Sequence, residues 1–237
     1  MPAVQIMLMN AAAAPPEDAL LPRLHPEEQS RYRGFIHATR RLNWRAGRAL
    51  LLAALEQIVG WVDTAALRTA ESGGVRYGDG ALKLSLSHSG GLVGVALASV
   101  PVGFDLEWPR PRRLMEQTAN LFSHGESAYL ATLSPEERLD AFYRLWTLKE
   151  AACKAMCVAI WQGLRSARFD IPAGRFLPDA PFPVGDWACL HARLASGTRL
   201  ALALRDRGPV DIACQRLCAP RVWRGEALVQ PAWIYAS

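Results

Sequence analysis

Residues 82–107 anchor the reading: Leu82-Lys83-Leu84-Ser85-Leu86-Ser87-His88-Ser89, then Gly90-Gly91, then Leu92 to Val100, Pro101 and Val102-Gly103-Phe104-Asp105-Leu106-Glu107. Leu82, Leu84 and Leu86 alternate with Lys83, Ser85 and Ser87, the period of a strand with one apolar face. Gly90-Gly91 turns the chain. Leu92 to Val100 is almost unbroken apolar sequence and reads as a strand buried on both faces. Pro101 interrupts it, and Val102 to Glu107 starts another strand. The segments predict an antiparallel pair or meander.

Helical signals flank this stretch. Pro26-Glu27-Glu28 places proline and two acids in a first turn, at the positive end of a helix dipole. From Thr39 to Val59, Leu42, Ala46, Ala49, Leu50, Ala53 and Leu55 recur at helical spacing, and Gly60 stops the pattern. A short helix is expected after Asp63, before a glycine-rich break at Gly73-Gly74 and Gly78-Asp79-Gly80. Downstream, Pro109 and Pro111 close the strand in a basic loop with Arg110, Arg112 and Arg113. Residues 114–131 read as helix. Ser134, an expected N-cap, opens another helix that runs through Phe142, Leu145, Trp146, Lys149 and Ala152 to about Val158. Leu200 to Leu204 and Val210 to Leu217 read as strands.

Of 237 residues, 51% are apolar and 21% charged, which suits a large buried core and excludes a mainly disordered chain. The net charge is +5 and the pI about 9.2, compatible with an anionic ligand or an acidic partner. Lys83, Lys149 and Lys154 are the lysines among 27 basic residues. Two of them lie close together, so positions 149 and 154 read as places that need an ammonium group. Met1 to Pro16 lacks a basic n-region and reads as a short buried strand rather than a leader. No apolar run reaches the roughly 20 residues of a membrane span. A cytoplasmic location without membrane contact is expected. Cys153, Cys157, Cys189, Cys214 and Cys218 are expected to be reduced. Their two C-x3-C pairs lie among Ala, Met, Val and Leu, poor surroundings for zinc.

Four groups of residues carry chemistry. Asp105 and Glu107, two apart on a strand, project side by side and invite a cation such as Mg²⁺; the bland alternative is two solvated acids at a strand end. Trp146, Glu150 and Lys154 are four apart and share a helix face, where an exposed Glu150–Lys154 pair alone would contribute about 0.3–0.5 kcal/mol. His88 sits at a strand end among small residues that leave room for a ligand, or it is a satisfied turn histidine. Arg31, Arg33, Arg40, Arg41, Arg45 and Arg48 crowd one stretch with no acid between them, a density that suits a phosphate-bearing ligand. No G-x-S-x-G elbow is present, which argues against a serine hydrolase.

Ser85-Leu86-Ser87-His88-Ser89, Gly103-Phe104-Asp105-Leu106-Glu107 and Trp146-x-x-Lys149-Glu150-x-x-x-Lys154, in this order, resemble the motifs of the 4′-phosphopantetheinyl transferase superfamily, in its larger surfactin-synthetase-activating type. The resemblance covers about residues 30–155. It implies an α+β fold: two similar α+β halves forming a pseudo-dimer, with the active site in the cleft between them. The expected halves are residues 1–103 and 104–237. It implies transfer of the phosphopantetheine arm of coenzyme A to a serine of an apo acyl or peptidyl carrier protein, with release of 3′,5′-ADP. By motif match Asp105, Glu107 and Glu150 would hold Mg²⁺, with Mn²⁺ able to substitute. Glu150 would be the base and Lys154 would bind phosphoryl oxygens or move a proton. Ser87 and His88 would touch the coenzyme A phosphates, and Arg40, Arg41 and Arg48 lie where the family keeps nucleotide-side cations. The chain departs from the family at Phe104, usually Val or Ile. It also lacks the Gly-Lys/Arg-Pro element, where Arg76 is the substitute cation. The acidic carrier would be steered by Arg110, Arg112 and Arg113, and a monomer would suffice. Two other readings are a nucleic-acid binder using the Arg31–Arg48 helix, which would leave the three acids idle, and a Mg²⁺-dependent phosphohydrolase. The leading reading expects no nucleic-acid partner.

Overall fold

A computed structural model describes residues 3–70, 74–110, 121–206, 210–219 and 222–236. Its strands are β1 (Ala3–Asn10), β2 (Leu67–Thr69), β3 (Val75–Tyr77), β4 (Lys83–Ser89), β5 (Leu92–Ala98), β6 (Val102–Glu107), β7 (Ala167–Asp170), β8 (Arg175–Pro178), β9 (Ala188–Leu194), β10 (Arg199–Leu204), β11 (Asp211–Ala219), β12 (Val222–Gly225) and β13 (Leu228–Ala236). Its helices are α1 (Glu17–Leu20), α2 (Pro26–Arg33), α3 (Ala38–Val59), α4 (His124–Ala131), α5 (Pro135–Ala155) and α6 (Ile160–Gly163). The class is α+β. The chain divides into one unit of Met1–Ser99 with Val210–Glu226 and another of Val100–Pro209 with Ala227–Ser237.

In the first unit the sheet order is β12-β11-β1-β5-β4. The apolar run 92–98 sits inside it, and every residue of β5 is buried, as its lack of alternation predicts. β4 and β5 form the expected antiparallel pair. β1 lies between β5, antiparallel, and β11, parallel. Met7, Met9, Val93, Val95 and Leu97 meet Leu50, Leu51 and Leu55 of α3 in one core. Instead of a helix after Asp63, a 3₁₀ turn forms at Thr64–Ala66, with the Asp63 carboxylate accepting from the Ala65 N–H.

In the second unit the order is β6-β10-β9-β13-β8-β7. β6 does not extend the β4–β5 pair into a meander; it pairs antiparallel with β10. The Pro101 break is where the chain leaves one sheet for the other. α5 lies on β6, β10 and β9. It starts as expected, with Ser134 and Glu137 in a reciprocal capping box, and ends at Ala155, short of Val158. Leu145, Leu148, Ala151 and Ala152 pack on Ala201, Ala203 and Cys189, beside stacked Phe169 and Phe176. Of the helix expected over 114–131, His124–Ala131 is helical; Pro111, Arg112, Arg113 and residues 114–120 lie outside the described residues, as does Gly73. No helix among the described residues is long and apolar enough to cross a membrane.

Candidate active site

The site begins with a glycine. A Cβ on Gly103 would fall 1.8 Å from the Ala151 carbonyl oxygen and 2.5 Å from the Ala155 nitrogen. Only a residue without a side chain lets β6 lie this close against the last turns of α5. Gly103, Asp105 and Glu107 alternate onto one face of the strand, so the same contact that excludes a side chain at 103 brings two carboxylates to the helix. Phe104 and Leu106 point the other way and are buried.

Four charged groups converge there. Asp105 is 2% exposed, and its Oδ1 accepts from Lys154 Nζ at 2.6 Å. Lys154 Nζ also stands 3.7 Å from Glu150 Oε2, one helical turn away. Burial pushes the Glu150 carboxyl up to about 8, with the charges of Asp105 and Glu107 adding and Lys154 opposing. For Lys154, burial acts downward, but the attraction of Asp105, Glu150 and Glu107 wins and the ammonium is held more tightly than usual. Three carboxyl groups thus face one ammonium, and the excess negative charge is partly relieved by a proton on Glu150.

That donor set has the chemistry of a Mg²⁺ site, hard carboxylate oxygens on a poorly solvated strand–helix contact. Among the described residues, however, no group of three His, Cys, Asp or Glu is already disposed around a metal position. Lys154 holds the Asp105 oxygen, and Glu150 is raised toward its neutral form. A divalent cation would have to displace the Lys154 ammonium from Asp105 and the proton from Glu150 before these oxygens could hold it.

Next to Glu150, Lys149 faces the opposite way. It is fully buried and pairs at 2.9 Å with the equally buried Glu126 of α4. Its Nζ also donates to the Leu164 and Ala167 carbonyls, each at 2.6 Å, and Glu126 accepts from the Phe169 N–H at 2.8 Å. This network fixes α5 against α4 and β7, and with it the turn that carries Glu150. Sequence reasoning marked Lys149 by the scarcity of lysine but found no partner for it. Tyr143, buried on α5, binds both backbone groups of Arg110 at 3.0 Å.

The remaining candidates belong to the first unit. Arg40 is exposed, its guanidinium 4.4 Å over the Phe35 ring. Arg41 pairs with Glu17 at 2.9 Å. Arg48 is buried: Nε donates to Glu28 and Nη2 to Thr69 Oγ1, both at 2.6 Å. Acids upstream of the arginine-rich stretch therefore neutralise part of it, which weakens the case for a nucleic-acid face. Arg76 is exposed on β3; on β4 Ser87 is buried and His88 exposed. The structure thus brings Asp105, Glu107, Glu150 and Lys154 together in one unit. The cysteines are free, and burial pushes Cys153 and Cys214 up to about 12, so these thiols are inert.

Residues 101–201, which contain all four members of the charged cluster, match the family described as the 4′-phosphopantetheinyl transferase superfamily. Over this stretch the chain is similar to that superfamily. It is 40% identical over 126 residues to the 4′-phosphopantetheinyl transferase AcpT of Salmonella typhimurium, across 52% of this chain and 62% of that protein. It is 32% identical over 142 residues to the 4′-phosphopantetheinyl transferase HetI of Nostoc, across 56% and 59%. With the 4′-phosphopantetheinyl transferase Sfp of Bacillus subtilis the identity is 39% over 70 residues, across 30% and 31%. The chain thus spans less than two thirds of the length of each of these relatives. Within the superfamily stretch lies the whole acid–ammonium cluster; Arg40, Arg41, Arg48, Arg76, Ser87 and His88 precede it.

Proposed function

We propose that this protein is a 4′-phosphopantetheinyl transferase that moves the arm of coenzyme A to a serine of an apo acyl or peptidyl carrier protein. The observation that supports this most is the cluster of Asp105, Glu107, Glu150 and Lys154 at the β6–α5 contact, inside the stretch shared with the superfamily. In the reaction, the serine oxygen bonds to the phosphorus on the pantetheine side of the coenzyme A diphosphate. The bond from that phosphorus to the bridging oxygen breaks, and 3′,5′-ADP leaves. Asp105, Glu107 and Glu150 would hold Mg²⁺, or Mn²⁺ in its place, which neutralises charge on the phosphoryl oxygens.

The chain's own groups do the rest. Glu150 in its ionised form, which becomes populated as pH approaches about 8, receives the serine proton. Lys154 pairs with the phosphoryl oxygens through an ammonium that its acidic neighbours keep charged. Arg40, Arg41, Arg76, Ser87 and His88 would meet the coenzyme A phosphates, with Arg40 the least engaged of the arginines on α3; Arg48, buried and held by Glu28 and Thr69, would act only by positioning that helix. Arg110, with Arg112 and Arg113, steers an acidic carrier. The protein acts as a cytoplasmic monomer.

The test is the intact mass of an apo carrier protein after incubation with coenzyme A and Mg²⁺. A gain of one phosphopantetheine arm, abolished by EDTA, is expected. Glu150→Gln should fold and lose activity at least about a hundredfold. No gain with several unrelated carriers would refute the activity, and wild-type turnover in Glu150→Gln would refute the role of that residue.

A further inference from the structure

A recess in the second unit takes no part in this chemistry. It has a volume of about 860 Å³ and opens among the first half of α5, Tyr129 of α4, Leu133 just after that helix, and strands β9, β10 and β13. That is the size of a small-molecule site. Tyr129, Leu133, Leu139 and Val229 give it apolar walls.

Its floor is cationic and under-satisfied. His191 of β9 is 7% exposed, lines the recess, and has no hydrogen-bond partner at Nε2. Arg144 of α5 and Arg199 of β10 both bury their Nε without a partner. Arg199 reaches Asp140 through Nη2, whereas Arg144 forms no ion pair among the described residues. Burial, with Arg144 and then Arg199 adding, pushes His191 down to about 3, so its imidazole is neutral and the positive charge stays on the arginines. Native interiors rarely leave three such groups orphaned at one place.

The backbone is irregular at the same spot. The β13–β9 ladder slips between Val229 and Ala232, Gln230 takes a left-handed φ of 49°, and His191 stands opposite Ala232. The bulge opens the β9–β13 ladder beside the orphaned groups. Glu136, Glu137 and Asp140 are exposed at the rim and disfavour ligands carrying many negative charges.

We propose that this recess binds a small organic oxyanion, a carboxylate or phosphate monoester on an apolar body, its charged group taken by Arg144 and Arg199 beside His191. Guanidinium forks match planar or tetrahedral oxyanions, and the apolar walls cover the rest of the ligand.

Isothermal titration of the full chain with octanoate, phenyl phosphate, octanol and inorganic phosphate tests this. At least one of the two organic anions binds, and octanol binds at least about tenfold more weakly. The anion that binds tighter identifies the head group. Arg144→Gln loses about tenfold or more of that affinity, leaves carrier-protein modification unchanged, and melts no lower than the parent, because it removes a half-buried charge that lacks a partner. Failure of both organic anions to bind overturns the site, as does unchanged affinity in Arg144→Gln. Inorganic phosphate binding as tightly as phenyl phosphate reduces it to an adventitious ion only. A lower melting temperature makes Arg144 a structural residue and overturns its assignment.

Discussion

The two units repeat one order of elements. The first runs β1, α3, the short β2–β3 hairpin and the long β4–β5 hairpin; the second runs β6, α5, β7–β8 and β9–β10. In each, the last strand of the long hairpin pairs antiparallel with the opening strand. In each, the long helix carries a buried cation tied to a buried glutamate of the helix before it: Arg48 with Glu28 at 2.6 Å, Lys149 with Glu126 at 2.9 Å. The opening strand differs. β1 contributes Met7 and Met9 to the core with α3, whereas β6 turns Gly103, Asp105 and Glu107 toward α5. The lesson is that the frame supplies position, and a few side chains on one strand and one helical turn supply chemistry.

The largest expected effect tests what the units share. Arg48→Met and Lys149→Met each leave a buried carboxylate without its cation and should cost about 3–5 kcal/mol in urea unfolding. A loss below about 1 kcal/mol in either would break the parallel. The next test separates the units. Gly103→Ala drives a Cβ into helix backbone and should cost about 3 kcal/mol or more. Gly47→Ala on α3 meets only the Leu86 side chain, with Cδ1 at 3.0 Å, and should cost less than about 1 kcal/mol. Equal costs would remove the special status of the β6–α5 contact.

The last test reads a slope with pH rather than a single loss. The folded Glu150 titrates near 8 against 4.5 when unfolded, so the native state keeps a proton that the unfolded chain has lost. Stability should fall as pH rises from about 4.5 to 8. Glu150→Gln should flatten that part of the curve. Excess Mg²⁺ should flatten it too and release a proton on binding, measurable by titration in two buffers of different ionisation enthalpy. A slope unchanged by both would mean that Glu150 is not the titrating group.

Much of this was legible in the sequence because its causes are local. Alternation set β4 and β6, continuous apolarity set β5, and the Ser134 cap with helical spacing set α5. The pair at 105/107 and the turn from 150 to 154 could be read from periods of two and four. Non-local pairing could not. β6 joins β10, almost a hundred positions later, because Ala201 and Ala203 are small enough to share the face on which α5 lies. The arginines of α3 looked unneutralised because Glu17 and Glu28 lie outside the window that contains them. Lys149 showed no partner because Glu126 is on another helix.

The chain passes from one unit to the other three times, at 99–100, 209–210 and 226–227. β1 receives its parallel neighbour only when residue 211 and those after it exist. During synthesis, one side of β1 therefore waits until the chain has grown by about two hundred further residues. A break between residues 99 and 100 would part that sheet: β1, β4 and β5 would lie on one side of it, and β11 and β12 on the other with nothing to pair against.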